Sequence, residues 1–573
     1  MRKLPVLDTQ LSRLNKLLGK TLTLSDLEEI LFKFGMELES YEKLANEDYA
    51  LKIEITPDRP DMLSTFGLAR ALRKYMGLDP GFDEYKLHEN ENYKIIVDKS
   101  VLPIRPYIAS VVVKNIQLDE DTIRDLIYTQ EKLHETFCRG RKKASIGFYP
   151  LRRVVWPLHY FAEKPEKIRF RPLGFNVEMN GYEILQKHPT GQKYAHILIK
   201  HEKYPLFTDD MGNVLSLPPI INSEDYGKVT PQDKDVLVEV TGTHKPTVKL
   251  VVNILASIMH DLGGTLYSVK IIYPDFSEKS PYFEAREIEI KTRYVQEVLG
   301  IALSTQDISE LLARMGFGAK IIDKETILVR VPPYRADIWH PIDIVDDIAR
   351  AYGFDNMSPD LTPVFTTGSV LEKSKVIDYI REIFVGLGFL EAFTFALTSD
   401  EDQFDKMLLE KEKDIVRIAG AKEKRINMVR KWLLPELLKA LAHNKDKKYP
   451  IKLFEVSDVV ILSPEADTGA INKTHLAFLV AHKDANFTEA RQYLEYTLQT
   501  LGFQETSFVR TNHPSFIEGR VARVIINGKE LGVIGELHPQ VILNWGLSIP
   551  IAAAEISISD LFDWEYKPVD VPS

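Results

Sequence analysis

The chain has 573 residues, a net charge of −10, 44% hydrophobic and 27% charged residues, which is too long for one core and ordinary for a folded soluble protein. The acidic balance excludes a surface that grips nucleic acid as a whole, although a local basic patch is compatible with it. Cys138 is the only cysteine, which excludes an intrachain disulfide and a thiolate metal cluster. The N-terminus lacks the apolar core of a signal peptide. The best apolar run, Leu250 to Met259, is interrupted by Asn253 and is too short to span a bilayer. The cytoplasm is the expected location, with no membrane partner.

The first segment reads helix, helix, strand, helix. Leu11 to Leu18 ends at Gly19, and Ser25 is expected to cap Leu27 to Phe34, which ends at Gly35. Leu51 to Ile55 alternates like a strand, Thr56-Pro57 breaks it, and Ser64 opens a helix towards Gly77. The segment from Glu284 to Gly353 repeats this plan. Arg293 to Gly300 answers Arg13 to Gly19, Asp307 to Gly316 answers Asp26 to Gly35, and Arg335-Ala-Asp337 answers Arg59-Pro-Asp61. One small module is used twice.

Between the copies, Ile108 to Ile116 and Ile146 to Phe148 look like strands, and Thr122 to His134 like a helix. Val236 to Val240 reads as a strand and Lys249 to Leu262 as a helix closed by Gly263-Gly264. Polar residues cluster at two expected turns, His188 to Gly191 and Asn222 to Asp225. Glu239 ends a buried-looking strand beside threonine hydroxyls and a glycine turn. A glutamate there can orient a water or hold an ammonium group, or be an ordinary strand-end carboxylate in a hydrogen-bonded turn. The run His134 to Lys143 is densely basic, with Arg139, Arg141, Lys142 and Lys143. Such a run either tracks phosphates or is simply solvated.

In the second copy, Pro332-Pro333 ends a strand and Pro341 starts a helix towards Gly353. Ile342, Val345, Ala349 and Tyr352 form its expected packing face. Asp343, Asp346 and Asp347 share another face, and Asp337 lies just before the helix. Clustered carboxylates repel unless something positive sits among them. A hard cation such as Mg²⁺ is one answer; acids solvated near the positive end of the helix dipole are another. The repeat supplies a control: laying Gly77 on Gly353 sets Gly67, Arg70 and Ala71 against Asp343, Asp346 and Asp347. The module is therefore not expected to need those acids to fold, which favours a charged functional site in this copy. Asp61 stands opposite Asp337, so that position is read as structural, holding the arginine two residues before it.

From Ser374 onward a helix (Val376 to Leu387) is followed by strands near Glu391 to Leu397 and Leu453 to Val460, with a helix from Leu433 to His443. Antiparallel strands are expected at His475 to Ala481, Val521 to Ile526 and Leu531 to Leu537. This order suggests an α+β domain, and it carries no Walker-like sequence to hold ATP.

The stretch VPPYRADIWHPIDIVDDIARAYGFDN closely resembles the phenylalanyl-tRNA synthetase β subunit family of the archaeal and eukaryotic type. KIEITPDRPDMLSTFGLARAL, RGRKKASIGFYPL, HPTGQKYAHIL, MVRKWLLPELL and ELGVIGELHP extend the resemblance over essentially the whole chain. It implies an α+β multidomain protein. Two repeated modules (1–85 and 284–357) flank an α/β editing domain (90–275), and a class II synthetase-like antiparallel-sheet domain without catalytic motifs follows (365–573). It further implies assembly with the α subunit, two α and two β chains, in which α binds ATP and phenylalanine and charges tRNA(Phe). This chain would hydrolyse tyrosine wrongly joined to that tRNA. By resemblance, Glu239 recognises or orients the misacylated residue, with Asn222, Ser223 and Thr241 lining the pocket and His134 and Arg139 as further candidates. The resemblance also assigns Mg²⁺ to Asp337, Asp343, Asp346 and Asp347, where many relatives carry glutamate at the last two positions. A structural scaffold subunit with a decayed editing site is the competing expectation.

Overall fold

Repetition governs the topology of the first part of the chain. The computed structural model describes residues 5–359 and 368–562, apart from 422 and 424; the expected domain limits at residues 1, 365 and 573 lie outside the described residues. Val6–Gln10, Tyr49–Glu54 and Glu37–Lys43 form one antiparallel sheet with Tyr49–Glu54 in the middle. Arg286–Lys291, Thr326–Val331 and Gly318–Ile321 form a second sheet in the same order. Periodicity does not reveal the outer strands, because Glu37–Lys43 is exposed along nearly its whole length and so lacks the alternation of a half-buried strand.

Helix ends repeat as well. Gly19 and Gly300 close the first helix of each copy at φ of 67° and 69°, a conformation that disfavours any residue with a Cβ. Capping boxes, Thr23 with Asp26 and Ser304 with Asp307, start the second helices. Thr23, not Ser25, is the cap in the first copy, because the helix already begins at Leu24.

The copies also pack reciprocally. Helix Leu24–Phe34 touches Pro341–Tyr352, and Thr65–Tyr75 touches Thr305–Arg314, so each copy offers the same two helices to the other. Arg350 donates to the Phe34 carbonyl at 3.2 Å, and Arg314 to the Tyr75 carbonyl at 3.1 Å. This is the pattern of an isologous pair, built within one chain.

The residues between the copies build a ten-stranded mixed sheet. Val236–Gly242 is buried and runs antiparallel between Tyr107–Lys114 and Ala144–Pro150, which is the end strand. Val236, Val238 and Val240 join a core with residues of helices Lys245–Asp261 and Glu120–Glu135. Glu239 and Thr241 therefore take the other face of the strand. Pro189 opens the helix Pro189–Leu198, capped by His188, where a turn is the expectation from sequence. A proline after a good cap starts a helix readily.

The chain divides into two units between residues 361 and 362. In the second, a seven-stranded sheet is antiparallel except where Leu390–Glu391 pairs with Ile451–Leu462. Phe384 and Leu494 pack into one core and Leu437 and Leu441 into another. The expected strand from Glu391 to Leu397 survives only as the short Leu390–Glu391 and Leu397–Thr398. Phe393 and Phe395 between them are 88% and 86% exposed, so their alternation does not mark a packed strand. Among the described residues no helix is long and apolar enough to cross a membrane.

Candidate functional site

A cavity of about 360 Å³ lies beside the end strand Ala144–Pro150, between helix Glu120–Glu135 and the segment from Ser216 to Asn222. Glu239 lines it and is only 2% exposed. Its Oε2 accepts a hydrogen bond from the Tyr149 hydroxyl at 2.9 Å, and that hydroxyl lies 2.9 Å from Ser216 Oγ. Its Oε1 is buried without a partner among the described residues. An unmade hydrogen bond of this kind is costly and marks the place where a ligand donor belongs. Burial pushes the Glu239 carboxyl up to about 7, against the opposing influence of the Tyr149 hydroxyl, the nearby Thr241 hydroxyl and Arg105.

Gly147 makes this arrangement possible. It sits directly across the ladder from Glu239, and a Cβ there would stand 2.8 Å from Glu239 Oε2 and closer still to the Tyr149 hydroxyl. Only a residue without a side chain fits.

The other candidates divide. Asn222 lines the cavity and is half-buried. Thr241 does not line it: its Oγ1 accepts from Arg105 Nε at 3.0 Å and lies 3.0 Å from Ser145 Oγ. Ser223 is also outside the lining, its hydroxyl accepting from the Asp225 amide at 3.2 Å. His134 is buried, with Nε2 accepting from the Ile146 amide and Nδ1 beside Glu131. Burial pushes it down to about 4, so it is a neutral brace between helix and end strand, not a proton carrier in the cavity. Arg139 is exposed and does not line the cavity.

Arg141, two residues further on in the basic run, is the arginine that does. It donates to the Ile220 carbonyl and to Glu131, both at 2.8 Å, and its guanidinium lies 4.3 Å from the centre of the Tyr194 ring. Burial would raise Glu131, but His134 and Arg141 hold it down at about 2. The pair ties the segment after Ser216 to the helix wall. Nothing in a run of four basic residues distinguishes the buried arginine from its solvated neighbours, whereas Tyr149 was within reach of sequence: residues two apart on a strand share a face, and Gly147, two before Tyr149, pairs with Glu239.

The four candidate aspartates, Asp337, Asp343, Asp346 and Asp347, all line another cleft, with Arg59, Arg335 and Arg350. Arg335, whose side chain is 2% exposed, donates to Asp337 at 2.8 and 2.6 Å and to Asp347 at 2.6 Å. Arg59 holds Asp61 in the same bidentate way in the first copy, so the structural reading of Asp337 and Asp61 is correct. Asp343 closes the helix cap through one oxygen, accepting from the amides of Trp339 and His340 at 2.7 Å. Asp346 accepts from Arg350 at 2.9 Å. Ile342, expected in the packing face, is exposed, while Asp347 is buried.

Hard carboxylate oxygens match what Mg²⁺ prefers, yet among the described residues no three acids, histidines or cysteines are grouped to hold a metal ion. Asp337 and Asp347 are ligands of Arg335 and do not fit a metal set. Asp343 Oδ1 and Asp346 Oδ1 carry no hydrogen bond among the described residues. Two such carboxylates fit an ion that keeps most of its water.

Comparison with known proteins bears on the whole chain. Residues 4–78, 288–354 and 359–558 match the family models described as the Phe-tRNA synthetase beta subunit B1 domain, the tRNA synthetase B5 domain and the phenylalanyl tRNA synthetase beta chain CLM domain. The phenylalanine–tRNA ligase beta subunit of Archaeoglobus fulgidus is 38% identical over 98% of this chain and 99% of its own length. That of Pyrococcus furiosus is 37% identical over 98% and 100%. The crystal structure of an N-terminal fragment of the phenylalanyl-tRNA synthetase beta subunit from Pyrococcus horikoshii is 33% identical and superposes with a TM-score of 0.59, covering 61% of this chain and 99% of the fragment. With such identity along nearly its full length, this chain belongs to the family of phenylalanine–tRNA ligase beta subunits.

Proposed function

We propose that this chain is the editing subunit of a heteromeric phenylalanine–tRNA ligase and that the cavity at Glu239 hydrolyses tyrosine wrongly attached to tRNA(Phe). The unpartnered Glu239 Oε1 carries this reading. A tyrosyl residue differs from phenylalanine by one hydroxyl, and its phenolic O–H supplies the donor that Oε1 lacks. A phenylalanyl residue leaves that oxygen unpaired, and sites built around such a bond reject the analogue strongly. Water then adds to the ester carbonyl and the ester C–O bond breaks, giving free tyrosine and the tRNA hydroxyl. Arg141 and Asn222 shape the wall in which that ester sits. With its α subunit, the chain attaches phenylalanine to tRNA(Phe) using ATP, and the ATP and phenylalanine sites belong to α. In the assembly of two α and two β chains, the exposed Phe393 and Phe395 suit an apolar partner surface.

The assembled enzyme is expected to deacylate Tyr-tRNA(Phe) and to spare Phe-tRNA(Phe). An assembly that never hydrolyses Tyr-tRNA(Phe) would instead indicate a scaffold with a decayed site. ATP–pyrophosphate exchange by this chain alone would contradict the placement of the ATP site.

Asp343 and Asp346 are the proposed holders of a hydrated Mg²⁺ that neutralises the acidic cleft. Replacing both by asparagine is expected to weaken Mg²⁺ binding by the assembly ~10-fold or more, read by titration calorimetry, with the chain still folded. Unchanged binding would place the ion elsewhere.

A further inference from the structure

On the reading of the Glu239 cavity as a tyrosyl-ester hydrolase, we infer that Tyr149 is a positioning residue which, with Ser216 behind it, fixes Glu239 so that one carboxylate oxygen always faces the substrate. Selectivity for the phenolic hydroxyl then belongs to a three-residue chain and not to the glutamate alone. Tyr149 is fully buried in the end strand, and its ring packs on Phe207 with centroids 5.9 Å apart. Its hydroxyl is therefore delivered to a fixed point, 2.9 Å from Glu239 Oε2 and 2.9 Å from Ser216 Oγ. Ser216 is itself buried on Val214–Leu217.

A phenol has one proton to donate. When Glu239 is ionised, that proton goes to Oε2 and the Ser216 hydroxyl donates to the phenol oxygen. When Glu239 is protonated, Oε2–H donates to the phenol oxygen and the phenol donates to Ser216. The chain reverses direction but does not break, so Oε2 stays tied in both states and the unpartnered Oε1 keeps one position in the glutamate that lines the cavity. Gly147 supplies the clearance across the ladder, since any Cβ there collides with both Tyr149 and Glu239. The charged neighbour, Arg105, is engaged elsewhere, with Thr241, Ser145 and the Arg141 carbonyl. Tyr149 thus holds Oε2 of the glutamate through a 2.9 Å hydrogen bond, while the Thr241 hydroxyl and Arg105 only favour its charged form. Without it Oε2 loses its fixed partner, and a displacement of about 1 Å at a recognition group costs on the order of 100-fold.

The test measures deacylation of Tyr-tRNA(Phe) and Phe-tRNA(Phe) by the assembled enzyme carrying Tyr149→Phe, Ser216→Ala, Glu239→Gln, or Tyr149→Phe with Glu239→Gln. Tyr149→Phe keeps the ring and its packing. It is expected to lower kcat/KM for Tyr-tRNA(Phe) ~10- to 100-fold and to shrink the preference for it over Phe-tRNA(Phe), while the chain still melts cooperatively from a folded state. Ser216→Ala should act in the same direction and less. The double variant should be no worse than Glu239→Gln alone, because Tyr149 acts through the glutamate. Wild-type selectivity in Tyr149→Phe, or losses that multiply in the double variant, would overturn the positioning role while leaving Glu239 as the recognition group. A silent Glu239→Gln would overturn both the role and the reading of the cavity.

Discussion

Glu239→Gln is expected to stabilise the chain above neutral pH while removing its selectivity for a tyrosyl ester. The Glu239 carboxyl, about 4.5 when unfolded, is raised to about 7 by burial in the folded chain. Below about 4.5 both states hold the proton and the group contributes no pH dependence. As the pH rises to about 7, the unfolded chain releases its proton and the folded chain keeps it, so stability falls across that window. Above it the penalty is constant, on the order of 3 kcal/mol. Glutamine has the same shape, can accept from Tyr149 and never ionises. Calorimetric melting at about pH 5 and pH 8 should show the variant gaining on the wild type as pH rises; parallel melting curves would show that the carboxyl is not held in this state. Editing moves the opposite way. The amide no longer offers a charged acceptor to the phenol, and losing such a bond, about 1.5–3 kcal/mol, lowers kcat/KM for Tyr-tRNA(Phe) ~10- to 100-fold. A site destabilised for the sake of its task is a common pattern.

Asp347→Ala and Asp346→Ala, neighbours in sequence, should differ sharply. Asp347 is buried and accepts one of the three carboxylate hydrogen bonds of Arg335, whose side chain is as deeply buried. Asp337 is held below the usual carboxylate range by Arg335 in spite of its burial, and it alone remains to pair the guanidinium when Asp347 is removed. Breaking a buried ion pair by deleting one partner typically costs 3–5 kcal/mol, a large share of the stability of a domain of ordinary size. Asp346 is exposed and pairs along the helix surface with Arg350; its loss should cost about 0.5 kcal/mol or less. Thermal melting together with proteolysis of the second module would measure both. Equal, small effects would mean that Arg335 needs only Asp337. The expectation from sequence that the module folds without these acids agrees with the exposed place of Asp346, whereas the buried pair of Asp347 with Arg335 argues against it.

That contrast shows what sequence carries and what it does not. The repeat was legible because helix periodicity, glycine ends and the Arg-x-Asp pairs recur in order, and the structure adds matching sheets to it. The same comparison identified Asp337 as the clasp of Arg335. It could not place Asp347, because residues 343, 346 and 347 lie within one helical arc, and which edge of that arc turns inward depends on an arginine outside the helix. Glu239 was legible as a polar residue at the end of a buried strand. Thr241, two residues on and facing the same way, looked equivalent until Arg105 arrived from far away in the chain to occupy it. Phe393 and Phe395 carry the alternation of a strand but no sheet neighbour to satisfy it.

The reciprocal grip of the two modules has a consequence for everything inserted between them. Because the twin helices hold each other within one chain, the long central segment begins and ends at anchored points and behaves as a closed loop. Closing a long loop is an entropic cost that rises only slowly with length, and here the module pair meets it once, in place of a covalent link. Val236, Val238 and Val240 beside the cavity also share one continuous core with residues of both modules, so the central segment is coupled to its anchors and does not loosen independently of them. Substitutions that weaken the module contact, such as at Arg314 or Arg350, would be felt in the refolding of a cavity they never touch.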